Sequence, residues 1–260
     1  MTVPPQAAED LVVAAVAALG TGCRQEEDAE GVTLTFWVPA HRTGRAAALL
    51  ADVAPGMPVR VDAEDGAWRD AMRAFHRPID VGGRLRVRPP WEEPVPGRLD
   101  VVVDPGMAFG TGQHDTTRGC LELLLEVPPQ PLADVGCGSG VLAIAARRLG
   151  FDPVWACDLD PLAVEATLAN ARANGVALSV ARREIGRDPL RPAPALVANI
   201  TADVLVRLAD VLAPAPPRFA VLSGLRPQEA GEVLARWERL GLRLRSRRDT
   251  AEWSALLVAA

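Results

Sequence analysis

From residue 116 to the end of the chain, short apolar runs alternate with longer stretches whose apolar residues recur at helical spacing. The short runs predict buried strands and the longer amphipathic stretches predict helices. This alternation is typical of a mostly parallel sheet with helices on both faces, a doubly wound α/β fold. The predicted strands are 132–135, 154–157, 177–181, 195–198, 219–223, 242–248 and 253–258, and the predicted helices are 116–125, 140–149, 161–174, 202–212 and 228–240.

The last two predicted strands are joined by a short turn at Asp249-Thr250. A connection this short only allows neighbouring strands to pair in antiparallel fashion. We therefore expect a seven-stranded sheet that is parallel except at this end.

The first 65 residues follow a different pattern, in which short elements predict a small α+β domain of the ferredoxin-like kind. Residues 1–6 contain two prolines and offer little for an initial strand. The elements predicted in this block are a helix at 9–19, a strand at 32–38, a helix at 45–53 and a short strand at 58–61.

A further helix and a proline-rich linker are predicted between the two blocks. Trp68, Met72 and Phe75 recur at helical spacing, and several prolines then mark an extended connection into a strand at 99–103. The sequence therefore predicts a small α+β domain at 1–65, a helix and linker at 66–98, and a large α/β domain at 99–260.

Composition narrows the function classes. The 260-residue chain contains no lysine, which excludes a Schiff-base or P-loop lysine, and its net charge of −5 disfavours binding to a phosphate backbone. Four cysteines without paired spacing and three scattered histidines predict no metal site. No apolar run is long enough to span a membrane and no basic leader precedes the first apolar stretch. We expect a soluble, cytoplasmic monomer without direct nucleic-acid binding.

A glycine-rich segment, Asp134-Val-Gly-Cys-Gly-Ser-Gly140, lies where a predicted strand meets a helix. Glycines at such a junction let the backbone turn tightly and approach a ligand, and the following helix presents free amides. The spacing G-x-G-x-G differs from the G-x-G-x-x-G of dinucleotide-binding folds, which disfavours an oxidoreductase. The segment looks like the first motif of S-adenosylmethionine methyltransferases, so we predict that Asp134, Gly136 and Gly138 bind this cofactor. A plain strand–helix turn is the alternative.

Two further polar residues end predicted strands. Asp158 lies twenty residues past Gly138 and is predicted to accept the ribose hydroxyls, whereas Asp160, before a proline, is predicted to cap the next helix. Asn199 follows strand 195–198, and the carboxyl ends of parallel strands face the ligand crevice. Asn199 is therefore predicted to lie near the reactive centre, with capping of helix 202–212 as the alternative.

The stretch Asp104-Pro-Gly-Met-Ala-Phe-Gly-Thr-Gly-Gln-His-Asp-Thr-Thr117 is the most specific in the chain. Together with the glycine segment, Asp158-Leu-Asp-Pro161, Ala198-Asn-Ile200 and Glu252-Trp253, it resembles the PrmA family. Those enzymes methylate protein L11 of the large ribosomal subunit, and the resemblance extends from residue 66 to the end.

The resemblance implies a Rossmann-like S-adenosylmethionine methyltransferase fold, L11 as the partner, and an N-terminal domain that recognises it. It also implies roles for individual residues. His114 and Asn199 are the expected catalytic residues. The cofactor contacts that the resemblance implies are Thr117, Gly136, Asp158 and Asn199, and the residues expected to line a loop that folds over the cofactor are Phe109, Thr111 and His114.

Transfer of a methyl group to a neutral amine needs no strong general base, although His114 and Asp115 are titratable candidates. Two alternatives stay open. A small-molecule methyltransferase would share the cofactor motifs but usually lacks the Asp104–Thr117 stretch and a separate N-terminal domain. A non-catalytic cofactor-binding module would require that Asn199 and His114 be dispensable.

Overall fold

The computed structural model describes residues 2–3, 23–28, 31–36, 38, 43–61, 76–104 and 114–260. The chain divides into two compact units, Met1–Met72 and Arg73–Ala260. Within the described residues, no helix combines the length and the apolar character that crossing a membrane requires.

The first unit contains a three-stranded antiparallel sheet and one described helix. The strands are β1 (Thr2–Val3), β2 (Cys23–Asp28) and β3 (Gly31–Phe36), with β3 in the centre, and the helix is α1 (Thr43–Val53). Val32 and Leu34 are buried on one face of β3, as strand periodicity requires, and Ala46 and Leu50 are buried one helical turn apart.

These elements test the predictions for the N-terminal block. The strand near 32–38 and the helix near 45–53 are confirmed. The expectation that residues 1–6 lack a strand is wrong, because backbone pairing with β3 is sufficient to extend Thr2–Val3. Residues 58–61 form no strand. The predicted helices at 9–19 and 66–77 fall on residues outside the described ones, apart from 76–77, which are not helical, and the ferredoxin-like arrangement stays a prediction.

The second unit begins with a small sheet where a linker was predicted. Strands β4 (Ile79–Val81) and β5 (Leu85–Arg88) form a hairpin, and β6 (Leu99–Val102) adds to β5 in parallel. The hairpin turns at Gly82 and Gly83, whose φ angles of 56° and 68° favour glycine. The linker prediction is therefore wrong for 79–88. Apolar and polar residues do alternate in these strands, but the strands are short, and the prolines that follow them favoured the prediction of an extended linker.

A seven-stranded sheet forms the centre of this unit, with the strand order β12-β13-β11-β10-β7-β8-β9. Its strands are β7 (Leu132–Val135), β8 (Val154–Asp158), β9 (Ser179–Arg182), β10 (Ala195–Asn199), β11 (Phe219–Leu225), β12 (Arg243–Asp249) and β13 (Ser254–Ala259). Six strands run in the same direction, while β13 is inserted antiparallel between β11 and β12. The antiparallel pairing of the last two strands is confirmed.

Helices cover both faces of this sheet. They are α2 (Asp115–Leu124), α3 (Val141–Arg148), α4 (Pro161–Ala173), α5 (Ala202–Leu212) and α6 (Ala230–Glu238). One buried cluster includes Leu121 and Ile144, and the cluster on the opposite face includes Leu208 and Trp237. Each such fully buried side chain contributes about 1.5–3 kcal/mol of hydrophobic stabilisation.

The strand order reverses between β7 and β10, because the chain leaves β7 towards β8 on one side and later returns to β10 on the other. Such a switch point opens a crevice at the carboxyl ends of the strands, which is where ligands bind in open α/β sheets. The polar residues that end β7, β8 and β10 therefore meet at one edge.

Candidate active site

The cofactor loop, residues 134–140, connects β7 to α3. The backbone N–H groups of Gly136 and Cys137 both donate to the carbonyl of Cys157, at 2.8 and 3.0 Å. Gly136 has a φ of 80°, and a Cβ atom on it would lie 2.4 Å from Ile200 Cγ2. Both the backbone conformation and the close approach therefore require glycine at this position.

Asp134 anchors helix α3 from within the sheet. Its Oδ2 accepts a hydrogen bond from Ala143 N at 3.0 Å, while its Oδ1 is buried and has no partner among the described residues. The pKa of Asp134 is raised to about 7, chiefly by burial and to a smaller extent by the negative charge of Asp158, while the hydrogen bond from the Ala143 amide opposes the rise. A buried carboxylate with one unpaired oxygen favours a hydrogen-bond donor or a cation nearby.

Asp158 is held in place by two backbone amides. Its Oδ2 accepts from Gly138 N at 2.9 Å and its Oδ1 accepts from Asp160 N at 3.0 Å. Each oxygen keeps a lone pair that can accept a hydroxyl. Asp160 accepts from Leu162 N at 2.8 Å, which confirms that it caps α4.

Helix α4 joins the cofactor loop to the start of the Asp104–Thr117 stretch. Asn170 donates through Nδ2 to Ser139 O at 2.9 Å and accepts at Oδ1 from Asp104 N at 3.2 Å. One turn later, Asn174 pairs with both backbone groups of Val102, at 2.7 and 2.8 Å. Sequence reasoning missed both residues, and the only signal was a pair of asparagines four apart on the same face of the helix.

We use the term acceptor cluster for His114, Thr116, Asn199 and Trp253. His114 is the N-cap of α2, and its Nδ1 lies 2.8 Å from Thr116 Oγ1. Asn199 Nδ2 donates to Thr116 Oγ1 at 3.1 Å and to Thr117 Oγ1 at 3.5 Å. The structure therefore brings together three residues that were selected from the sequence, His114, Thr117 and Asn199, and adds Thr116, which sequence reasoning did not select.

The alternative role of Asn199, capping of α5, is wrong. The N-cap of α5 is Thr201, whose hydroxyl contacts Asp203 at 2.5 Å. The side-chain amide of Asn199 instead reaches across the crevice to the first turn of α2. Its orientation is therefore set by residues more than 80 positions earlier in the chain.

Trp253 enters the cluster from the turn between β12 and β13. Its ring meets the ring of His114 edge-on, with centroids 5.0 Å apart and an interplanar angle of 67°. The turn is closed by Thr250, whose N–H donates to Trp253 O at 2.8 Å and whose Oγ1 accepts from Trp253 N at 3.1 Å. An aromatic side chain is thus held beside the histidine.

Ile200 connects the cofactor loop to the acceptor cluster. It follows Asn199 directly, its side chain packs against Gly136, and its N–H donates to Ser223 O at 3.0 Å. Its backbone also lies so close to Gly224 that a Cβ there would meet Ile200 O at 2.5 Å. Phe109 and Thr111 lie outside the described residues, so their contacts stay predictions.

The cysteines near the loop are not set up as nucleophiles. Burial raises the pKa of the Cys137 thiol far above its usual range and that of Cys157 to about 11, so both stay protonated at neutral pH. Among the described residues, no three His, Cys, Asp or Glu side chains are grouped so that they could hold a metal ion.

Comparison with known proteins gives this geometry a context. The family model described as ribosomal protein L11 methyltransferase (PrmA) matches residues 47–260. The chain belongs to the PrmA family. A curated PrmA relative, the ribosomal protein L11 methyltransferase of Citrifermentans bemidjiense, is 41% identical over 202 residues, which span 73% of this chain and 65% of that protein. The L11 methyltransferase of Pelotomaculum thermopropionicum is 39% identical over 229 residues, 84% of this chain and 74% of that protein.

A solved structure agrees with the PrmA assignment. The crystal structure of a ribosomal protein L11 methylase from Lactobacillus delbrueckii subsp. bulgaricus matches with a TM-score of 0.64 and 28% identity, covering 71% of this chain and 98% of that chain. These similarities confirm the predicted family, the doubly wound α/β methyltransferase fold and S-adenosylmethionine as its cofactor.

The residues present fit this cofactor. S-adenosylmethionine carries ribose hydroxyls, an ammonium group and a sulfonium, and it has no phosphate. Its binding site therefore needs hydrogen-bond acceptors and negative charge rather than a phosphate-binding loop. Asp158 keeps lone pairs for hydroxyls, and the unpaired Oδ1 of Asp134 adds negative potential beside the loop.

Proposed function

We propose that this protein is an S-adenosylmethionine-dependent protein N-methyltransferase that modifies amine groups of ribosomal protein L11, on lysine side chains, the N-terminus or both. The observation that carries the proposal is the junction at Ile200, which places the acceptor cluster directly beside the cofactor loop. The names of the relatives supply the substrate.

The proposed roles divide between the two groups of residues. Gly136, Gly138 and Asp158 contact the cofactor, with Asp134 behind them, and Thr117 and Asn199 border it on the other side. S-adenosylmethionine supplies, when bound, a methyl group on a sulfonium. A neutral amine that forms a bond to this methyl would become a methylammonium as the S–CH3 bond breaks and its electron pair stays with the sulfur, which leaves as a neutral thioether. Charge then balances without proton transfer in the same step.

The acceptor cluster favours such a neutral amine. A lysine ammonium is charged at neutral pH, and removal from water lowers its pKa. The aromatic face of Trp253 next to His114 provides a partly apolar wall for this purpose. Holding the amine nitrogen in line with the methyl group lowers the barrier further, because the reacting atoms are already in the geometry that transfer requires.

We further propose that residues 1–65 recognise L11 and that the protein acts as a monomer in the cytoplasm without contacting nucleic acid directly. Recognition by a separate unit is consistent with the division of the chain after Met72. A chain that begins at Arg73 retains the small sheet that pairs β5 with β6.

Isotope-labelled S-adenosylmethionine tests the proposal against the small-molecule alternative. The purified full-length protein is offered L11 in competition with an excess of free lysine and simple amines, and label is counted in each fraction. We expect label in L11 alone. Label in the small amines, with L11 untouched, would favour the alternative.

The role of the N-terminal unit is tested with the chain that begins at Arg73. We expect this shortened protein to bind S-adenosylmethionine as the full chain does, which shows that it is folded, and to lose efficient methylation of L11. Undiminished methylation by the shortened chain would overturn substrate recognition by residues 1–65.

A further inference from the structure

Helix α2 begins with a hydrogen bond that decides which nitrogen of His114 carries a proton. His114 Nδ1 accepts from the backbone N–H of Thr116 at 3.4 Å. A backbone amide can only donate, so Nδ1 must present its lone pair. In the neutral imidazole the proton is then on Nε2.

The hydroxyl of Thr116 follows from this assignment. Its Oγ1 lies 2.8 Å from His114 Nδ1, and because Nδ1 is an acceptor the hydroxyl must donate its single proton there. The oxygen of the hydroxyl is left to accept. Thr116 is 4% exposed, so these contacts are largely shielded from water.

The amide of Asn199 is oriented in turn. A nitrogen donor has to face the accepting oxygen of Thr116, and Asn199 Nδ2 lies 3.1 Å from it, with Thr117 Oγ1 at 3.5 Å as a second acceptor. Because the amide is planar, Oδ1 is directed away from both hydroxyls. The carbonyl oxygen is therefore the atom that the crevice side of Asn199 presents.

We propose that Thr116 is a positioning residue for methyl transfer, whose hydroxyl couples the imidazole of His114 to the amide of Asn199. The coupling holds His114 in the Nε2-protonated tautomer and presents Asn199 Oδ1 as the acceptor for an N–H of the target amine. A target amine whose N–H is held in this way has its lone pair fixed in direction. The inference rests on the proposed function.

The same geometry changes the role expected of His114. Its Nδ1 lone pair is engaged by Thr116, and its Nε2 carries a proton, so the neutral ring has no free lone pair with which to take a proton from the amine. His114 therefore acts by holding Thr116, and through its Nε2–H as a donor. Proton removal from the ammonium precedes binding.

Nitrogen NMR of the free full-length enzyme tests the coupling without reference to any substrate. The chain has three histidines, and His114→Gln identifies the signal of His114. We expect an unprotonated, hydrogen-bonded Nδ1 and a protonated Nε2. Thr116→Val removes the hydroxyl at similar volume and should shift the Nδ1 signal and speed exchange of the Asn199 side-chain amide protons, whereas Thr116→Ser should preserve both. A protonated Nδ1 in the wild type, or a Thr116→Val spectrum like that of the wild type, would overturn the coupling.

Kinetics on L11 test the positioning role. Thr116→Val should lower kcat roughly tenfold, the size of one net hydrogen bond. Thr116→Ser should recover most of kcat. An unchanged kcat in Thr116→Val would refute positioning. If the wild type does not methylate L11 at all, the proposed function fails, and the spectra of the free enzyme decide the coupling alone.

Discussion

The cofactor loop and the acceptor cluster are neighbours that are held together in different ways. The loop is built from glycine geometry and backbone hydrogen bonds within the β7–β8 region. The acceptor cluster is built from side-chain contacts between helix α2, the end of β10 and the turn before β13. Most bonds of the loop join residues 134–158, although Asn170 and Ile200 also contact it, whereas the acceptor cluster exists only after distant parts of the chain have folded together.

Because of this difference, we expect changes in the loop to alter affinity for S-adenosylmethionine and changes in the acceptor cluster to alter methyl transfer to the amine. We expect the cofactor loop to determine how tightly S-adenosylmethionine binds. The acceptor cluster determines how a target amine is presented. Variants in the two regions should therefore give distinct phenotypes, and four predictions sharpen the comparison.

The largest effect is expected from Gly136→Ala. A left-handed backbone and a Cβ that would lie 2.4 Å from Ile200 Cγ2 add strain to overpacking, together about 2–6 kcal/mol. Calorimetric titration should show S-adenosylmethionine affinity strongly reduced. Gly175→Ala is the matched control, because Gly175 has a φ of 61° but nothing within 4 Å of its Cβ. If both variants bound the cofactor equally well, the close packing at Ile200 would be irrelevant to the loop.

Asp134→Asn should change how stability depends on pH. Because the folded pKa of Asp134 is raised from 3.8 to about 7, its contribution to stability is fully present below the unfolded pKa and is lost as pH rises through about 7. Relative to Asp134→Asn, the cofactor-free wild type should therefore lose up to about 4 kcal/mol of unfolding free energy between pH 4 and pH 8. Urea unfolding of both proteins across that range measures the difference, and parallel pH profiles would contradict it.

Asn170→Ala and Asn174→Ala separate support of the loop from support of the fold. Each removes at least two hydrogen bonds and should cost about 1–3 kcal/mol of unfolding free energy. Only Asn170 holds the carbonyl of Ser139, so only Asn170→Ala should also weaken binding of S-adenosylmethionine. Equal losses of cofactor affinity in the two variants would show that the contact to the loop has no special role.

Trp253→Leu should have the smallest effect. Loss of the edge contact with His114 removes about 0.5–1.5 kcal/mol. We expect a higher KM for L11 with unchanged cofactor affinity, and Trp253→Phe should restore most of the loss. If only the affinity for S-adenosylmethionine changed, Trp253 would have to be assigned to cofactor binding rather than to the acceptor cluster.

The same contrast explains how much could be predicted from the sequence. Strand–helix alternation and the spacing of Gly136, Gly138 and Asp158 are local signals, and they predicted the large sheet and the placement of these residues at its edge. In the small sheet, β6 was predicted as a strand at 99–103, but β4 and β5 were missed because they are only three and four residues long and are followed by prolines.

The acceptor cluster was only partly predictable for a physical reason. His114 and Asn199 could be selected one at a time, from a motif and from the end of a strand. Their connection through Thr116, and the approach of Trp253, depend on where α2 and the final turn pack against β10, which no local pattern contains. Asn170 and Asn174 were hidden in the same way, as polar residues whose partners lie in β6 and the cofactor loop.

The intact mass of L11 after incubation with the full-length protein and S-adenosylmethionine tests the central claim most directly. We expect L11 to gain mass in whole methyl groups, with all added methyls on amine nitrogens when the peptides are sequenced, and the cofactor to be consumed in equal number. An L11 of unchanged mass, in the presence of an enzyme that demonstrably binds S-adenosylmethionine, would contradict the account.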